Sequence, residues 1–437
     1  MISKVNRIAK NPLEAAQEEE NEALAYERAM AKERKKNRKK KKKTNNNDNE
    51  YETVKIEQTI IKIGALLAIG FGEAGAKIIA NNMGHGDVDP MTPGNKVVAV
   101  FGFCDIRNFT DVTEVLQEEV MLFVNEVADI VHGIVDRYSG AANKNIGEAF
   151  LLVWKFNEED VEENDEGQLV TKRTSRNSQY ADMSVISFLK IIAEIRKSHK
   201  LERYSQNKQI LEKLPNFKVK LGFGLHVGWA IEGAIGSDFK IDASYLSPNV
   251  NTSSRLDAAT KQFGVHLLVS GSLKRICTPR TQANMRIIDI VTVKGSIEPI
   301  EMVTCDVDET LIKVEIPKRQ RNKRQDKKMK KVRGRIERNR YKQAVMSNQI
   351  QVSEKFELDE DIKLMRSPYS KDFNETFKKG FELYIQGKWK KSAEVLNGIQ
   401  GKLIRSDAPT MLILNYMKEF NFKAPDTWKG FRALTQK

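Results

Sequence analysis

The sequence predicts an α+β fold in which helices cover a mostly antiparallel sheet. Three observations predict it. Between about residues 55 and 310, short β-prone runs alternate with longer helical ones. The β-prone runs are bounded by glycine, as hairpins are. The helical runs repeat apolar residues at the spacing of one helix face.

Each element follows in order. "KVVAVFGFCDI" (Lys96–Ile106) is a buried strand, and Glu118–Tyr138 is an amphipathic helix. "SGAANKNIGEAFLLVWKF" (Ser139–Phe156) is a hairpin with Gly147 in its turn. Asn157–Gln179 is a polar loop, and Ala181–Lys197 a second amphipathic helix. Phe217–Ser237 reads as two strands punctuated by glycines. "SPNVNTSSRLDAATKQFG" (Ser247–Gly264) is a loop entering a helix; Val265–Leu273 and Ile287–Gly295 are further strands. Beyond them, Phe373–Ile399 is an α-helical hairpin turning at Gly387, with apolar positions Phe377, Phe381, Tyr384, Trp389, Ala393 and Leu396. It looks like one tetratricopeptide-type unit, and a lone unit must bury its face elsewhere. The apolar, aromatic tail Asp407–Lys437 is expected to be ordered.

At 437 residues the chain has room for two or three domains. The expected division is a charged, flexible N-terminal segment (1–50), the α+β domain (55–310), a basic helical linker (311–345) and a helical C-terminal region (346–437). Much of the net charge of +14 lies in two runs, Lys32–Lys43 and Lys318–Lys342. Cys104, Cys277 and Cys305 are distant and odd in number, which excludes a disulfide framework or a zinc spacing. The N-terminus lacks the apolar core of a signal peptide. Lys62, Glu73 and Lys77 interrupt the most apolar stretch, Ile60–Ile79, too often for a spanning helix. A cytoplasmic protein is expected, with its basic runs available to cytoskeletal or ciliary surfaces.

One strand ends in a carboxylate. In "VFGFCDIRNFTD" (Val100–Asp111), Asp105 closes an apolar run, and a buried charge needs a partner. Glu148 stands at the glycine turn of the hairpin; Asn251 and Arg255 are four apart at a helix start, hence on one face. Two carboxylates on neighbouring strand ends can hold divalent cations, which bind oxygen ligands and share substrate phosphates. A nearby amide and guanidinium can orient a ribose and stabilise charge on phosphorus. Lys294 in "VTVKG" adds a phosphate contact.

The order and wording of "FCDIRNFT", "NKNIGEAFLLVW", "FGLHVGWAIEGAIG", "SPNVNTSSRLDAA" and "VKG" resemble the class III nucleotidyl cyclases, the adenylyl and guanylyl cyclase catalytic domain. The likeness covers about residues 90 to 305, and the wider wording resembles the cyclases of protists. The resemblance implies a class III cyclase-like sandwich. It implies that Asp105 ligates two ions, Mg2+ or Mn2+, helped by the Ile106 carbonyl and by Glu148. Phe109 and Thr110 are expected in the turn around the triphosphate; Asn251 positions the ribose; Arg255 stabilises the α-phosphate. The family builds its site between two catalytic domains, so a homodimer is implied. Lys220 and Ser244 fall where the base is contacted, with Asp242 an alternative to Ser244. Lysine only donates and adenine N1 accepts, which favours ATP over GTP.

Three positions depart from the family. Glu148 replaces Asp, Asn108 replaces a Gly, and Ser296 replaces a second phosphate-binding Lys. These keep two alternatives open: a guanylyl cyclase, and a pseudocyclase serving as a scaffold. The basic runs fit an acidic protein or an anionic membrane surface. They lack the interleaved aromatics of nucleic-acid binding, so nucleic acid is disfavoured.

Overall fold

A computed structural model of the chain describes residues 59, 63, 93–165, 167, 169–237, 240–292, 298–316, 324–399 and 406–434. The segment 1–50, the stretch Ile60–Ile79 apart from Ile63, and Lys294 and Ser296 lie outside the described residues. Among the described residues no helix is long and apolar enough to cross a membrane.

Two compact units divide the chain. The larger comprises Lys96–Ala230, Leu246–Lys323 and Arg335–Lys437; the smaller takes in Met1–Asn95, Ile231–Tyr245 and Arg324–Gly334. In the smaller unit the Tyr245 hydroxyl donates to Glu232 Oε1 at 2.7 Å, a buried bond.

The first strand and the helix read at Glu118–Tyr138 lie where predicted, with an unpredicted helix between them. β1 (Asn95–Ile106) leads into α1 (Phe109–Leu116) and α2 (Val120–Arg137). β2 (Ala141–Ile146) and β3 (Ala149–Lys155) form the predicted hairpin. Its two-residue loop is Gly147-Glu148, with Gly147 at φ 60, the positive φ that such a turn asks of its first residue. α3 (Ser175–Lys197) starts earlier than predicted, because Thr174 caps it by accepting from the Asn177 N–H.

The next segment corrects the sequence reading. Leu221–Ser237 is one strand, β4, not two, and β5 (Lys240–Leu246) follows it and pairs with it. The glycines of β4 make room rather than turns. A Cβ at Gly224 would overlap the Ser253 carbonyl and the Asp257 nitrogen, both in α4 (Pro248–Phe263). Gly222 and Gly228 give the same clearance to the side chains of Arg107 and Asn249. Ser247 caps α4, Pro248 takes its first position, and Gly264 ends it at φ 65.

Short strands β6 (Leu267–Ser270), β7 (Arg286–Thr292) and β8 (Ile300–Thr304) complete the central part; Gly271–Leu273, read as the end of a strand, instead opens the helix Gly271–Ile276. Basic helix α5 spans Arg324–Met346, and its Arg338 and Lys342 pair with Asp136 at the end of α2. Helices α6 (Lys371–Ile385), α7 (Trp389–Asn397) and α8 (Ala408–Glu419) precede strand β9 (Arg432–Ala433). The nine-stranded sheet runs β9-β7-β8-β6-β4-β1-β3-β2, with β5 beside β4. Its β2/β3, β1/β3, β6/β8 and β7/β8 pairs are antiparallel, and β4/β6 and β7/β9 are parallel.

Two apolar clusters hold the sheet. One joins Val100, Phe150 and Trp154 to Phe188 of α3 and Phe223 of β4. The other joins Phe263, Leu268, Ile288 and Met302 to Phe373, Phe377, Tyr384, Trp389, Leu396, Ile413 and Met417. The helical hairpin therefore buries its apolar face against the sheet, at roughly 1.5–3 kcal/mol for each large side chain. Buried Arg286 fastens this contact through Asp306 and Asp407, at 2.6 and 2.8 Å, and lies over the rings of Phe373 and Phe377.

Gly224→Ala tests the close seating of α4. The added methyl meets backbone rather than a movable side chain, so the variant should lose ~2 kcal/mol or more. Urea denaturation measures this; an unchanged midpoint contradicts the packing.

Candidate active site

β1 delivers Asp105 to the edge of the apolar cluster, beside the β2–β3 turn. Asp105 lies opposite Ala149 in the register, and the Ile106 N–H donates to the Glu148 carbonyl at 3.2 Å. The two predicted carboxylates therefore sit on neighbouring strand ends. Asp105 already has cationic partners. Its Oδ2 accepts from Arg107 Nη1 at 2.9 Å and stands 3.7 Å from Lys261 Nζ. Burial nonetheless pushes the Asp105 carboxyl up; Arg107 and Lys261 oppose the rise, and the charge of Glu148 adds to it. Burial and Asp105 also push Asp257 up to about 7, against the pull of Arg107.

This corner tests whether the site fits a divalent cation. Among the described residues no group of three or more His, Cys, Asp and Glu gathers to hold a metal. Magnesium commonly uses one or two carboxylates and takes its other oxygens from substrate phosphates and water. Asp105 and Glu148 meet that requirement. The ion pairs of Asp105 all end on Oδ2, and Glu148 makes none among the described residues.

Phe109 and Thr110 differ from expectation. They open α1 instead of lying in a turn; the turn is Arg107-Asn108, with Asn108 at φ 57. Asn tolerates this left-handed conformation, which explains how it stands in a glycine place. Asn108 makes no side-chain cap bond, so the first-turn N–H groups of α1 stay available to an anion.

Asn251 and Arg255 lie in the first two turns of α4 and line a cavity of about 650 Å3 with His226, Asn249, Thr252, Ser272, Arg275, Glu298 and Glu301. The N-terminus of α4 is tied to β4 by a closed set of bonds. The Ser247 Oγ–H and the Asn249 Nδ2–H donate to the Trp229 carbonyl at 2.6 and 2.9 Å. Asn249 Oδ1 is then the acceptor facing His226 Nε2 at 3.1 Å, so Nε2 carries the proton. Burial lowers the His226 imidazole to about 4 despite that bond.

One chain does not bring the two sets together. At 100° per residue, Arg255 and Asp257 point to nearly opposite sides of α4. Asp257 and Thr260 face Arg107 and Asp105, while Asn251 and Arg255 face the cavity, whose lining includes neither Asp105 nor Glu148. The Lys220 carbonyl accepts from the Arg107 N–H at 2.9 Å, but the Lys220 side chain is engaged elsewhere. Its Nζ pairs with Glu309 Oε1 at 2.9 Å, and Glu309 also meets His266 at 2.7 Å. Burial raises Glu309, but His266 and Lys220 outweigh it and hold the carboxyl well below the usual range. Lys220 and Glu309 line a separate cavity of about 240 Å3. Ser244 is buried on β5 in the smaller unit. The sequence reading left Arg107 and Asp257 without a role. The one signal for Arg107 was its place two residues after a carboxylate that needed a cation; nothing local marked Asp257.

Residues 92–306 match the family model for the adenylate and guanylate cyclase catalytic domain, and residues 1–84 match that for the RasGEFs all helical domain. The α+β segment 92–306 is thus a domain of the class III nucleotidyl cyclase family. The chain is similar to an adenylate cyclase of Anabaena cylindrica, 25% identical over 203 residues, which cover 46% of this chain and 35% of that protein. It is also similar to adenylate cyclase 1 of Rhizobium meliloti (strain 1021), 22% identical over 209 residues, covering 45% of this chain and 28% of that protein. A solved bacterial light-regulated adenylyl cyclase is 22% identical, with 66% of this chain and 71% of that chain covered and a TM-score of 0.44. The chain spans about a third or less of the length of these two curated relatives.

The neutral state of His226 yields a pH prediction. Between pH 6.5 and about 4 the unfolded histidine takes a proton that the folded one refuses, so stability falls as pH falls through that window. At 1.36 kcal/mol per unit the loss is ~3 kcal/mol. His226→Gln should flatten this part of the stability–pH curve measured by denaturation; an unaltered slope contradicts the assignment.

Proposed function

We propose that the chain is an adenylyl cyclase that forms 3′,5′-cyclic AMP and pyrophosphate at the interface of a homodimer. The observation that carries this reading is the division of the predicted site. Asp105 and Glu148 meet at one pair of strand ends, and Asn251 and Arg255 border a roomy cavity on the other side of α4. Two copies facing each other would combine one set from each into two sites.

The ribose 3′-hydroxyl oxygen attacks the α-phosphorus. A new O–P bond forms, the bond to the β-phosphate oxygen breaks, and pyrophosphate leaves with the electron pair while the hydroxyl proton is lost. Asp105, with the Ile106 carbonyl, and Glu148 would hold two Mg2+ or Mn2+ ions, which supply positive charge at the attacking oxygen and the phosphates. The first turn of α1, with Phe109 and Thr110, offers N–H groups to the triphosphate. Asn251 orients the ribose, and Arg255 neutralises charge gathering on the α-phosphate. Lys294 keeps the phosphate role that its place in the sequence gives it.

Base choice rests on less. The ion pair of Lys220 with Glu309 occupies the lysine expected to favour adenine, so Ser244 carries base recognition in this reading. Serine both donates and accepts, which keeps GTP as the second substrate. The scaffold reading has its own support: Arg107 and Lys261 already neutralise Asp105, and Glu148 is longer by a methylene than the aspartate it replaces. The basic runs remain the proposed contact with an acidic protein or an anionic membrane surface.

The test is product formation by the purified chain with ATP or GTP, in magnesium and in manganese. Cyclic AMP is expected, lowered at least about 100-fold by Asp105→Ala or Arg255→Ala. Mixing these two variants should restore about a quarter of wild-type activity. About half of randomly paired dimers are mixed, and each mixed dimer has one intact site of two. Cyclic GMP would reassign the base; no cyclic nucleotide under any condition would support the scaffold.

A further inference from the structure

Arg107 is the cation that the carboxylate of Asp105 finds, and its surroundings are built for it. Its Nη1 donates to Asp105 Oδ2 at 2.9 Å. Its Nη2 donates to Asp257 Oδ1 at 2.9 Å, to the Asp257 carbonyl at 3.1 Å, and to Thr260 Oγ1. Its own N–H donates to the Lys220 carbonyl at 2.9 Å. The side chains of Arg107, Asp105 and Asp257 are only 15, 16 and 7% exposed, so this is no solvated surface pair. Any Cβ at Gly222 would collide with the guanidinium itself, so the glycine opens the slot through which Arg107 reaches α4.

We propose that Arg107 is a positioning residue. Its guanidinium stands between Asp105 and Asp257, aims Asp105 toward Glu148, and keeps Asp257 out of the cation site. The inference rests on the cyclase reading for what the cation does, but concerns which carboxylates reach it. Without the guanidinium the bonds that hold Asp257 apart from Asp105 are lost, and Asp257 is free to join Asp105 and Glu148. A divalent ion would then settle among all three, off the position that serves the nucleotide. Lys261 does not replace Arg107, being 64% exposed and 3.7 Å away. A lysine at position 107 would supply charge without the planar fork that spans two carboxylates.

The test is a double-mutant cycle read by Mn2+ binding to the full chain, from the electron paramagnetic resonance of free Mn2+. In wild type, Asp105→Ala should weaken binding at least tenfold and Asp257→Asn should change it less than twofold. In the Arg107→Ala background, Mn2+ should bind at least as tightly as in wild type, and Asp257→Asn should then weaken it at least fivefold. Turnover of Arg107→Ala should fall at least 30-fold with KM within threefold. Millimolar guanidinium should restore part of it, and Arg107→Lys should lie between. Should Arg107→Ala fail to fold, Arg107→Lys carries the same cycle with a smaller coupling. Equal effects of Asp257→Asn in both backgrounds, wild-type turnover by Arg107→Ala, or Mn2+ binding in wild type that ignores Asp105 would each overturn the proposal. A wild-type chain that makes no cyclic nucleotide but shows the cycle would refute the cyclase reading and leave the role of Arg107 standing.

Discussion

The close approach of helix α4 to strand β4 is the constraint on which the rest of the site depends. Three glycines of one strand, Gly222, Gly224 and Gly228, have no room for a Cβ, because α4 or its partners occupy that space. Backbone meets backbone at Gly224, Asn249 fills the gap at Gly228, and Arg107 fills the gap at Gly222. Close-packed interiors do not yield to an extra methyl group without shifting a whole element. One helix, seated at one depth, therefore sets both the corner that holds Asp105 and the wall that carries Asn251 and Arg255. The bonds from Ser247 and Asn249 to the Trp229 carbonyl fix its N-terminal end in the same way.

The sequence was most legible where a local signal matched the global need. β1, the Gly147-Glu148 hairpin, the capped helix after Ser247 and the C-terminal helical hairpin are all marked by pattern and punctuation. The glycines of β4 were misread for a physical reason. Glycine marks a turn when φ must be positive, and marks a close approach when a neighbour needs the Cβ space. Only the packed structure tells the two apart. Position 107 shows the same limit at longer range. Its acceptors on α4 lie some 150 residues along the chain, so no window around Asp105 reveals them. Lys220 was assigned by its place in a motif, yet its charge goes to Glu309, again beyond any local pattern.

The C-terminal helices resolve the puzzle of a lone helical hairpin. Their apolar face has no repeat to stack on, and it closes one side of the sheet instead. Two arginines make the arrangement specific. Arg286 joins Asp306 after β8 to Asp407, the cap of α8, and Arg432 brings β9 to Asp289 of β7 at 2.7 Å. Buried ion pairs of this kind add less net stability than their geometry implies, but removing one partner strands a charge. They tie the tail to a single register on the sheet.

The two halves of the candidate site face different sides of α4, so in the proposed reading a second copy of the chain completes each one. The most direct test is a crystal structure of the chain with Mn2+ and a non-cyclising ATP analogue. A two-fold dimer is expected, with Mn2+ on Asp105 and Glu148 of one protomer and the nucleotide against Asn251 and Arg255 of its partner. A nucleotide held within one protomer, or manganese bound away from Asp105, would contradict it.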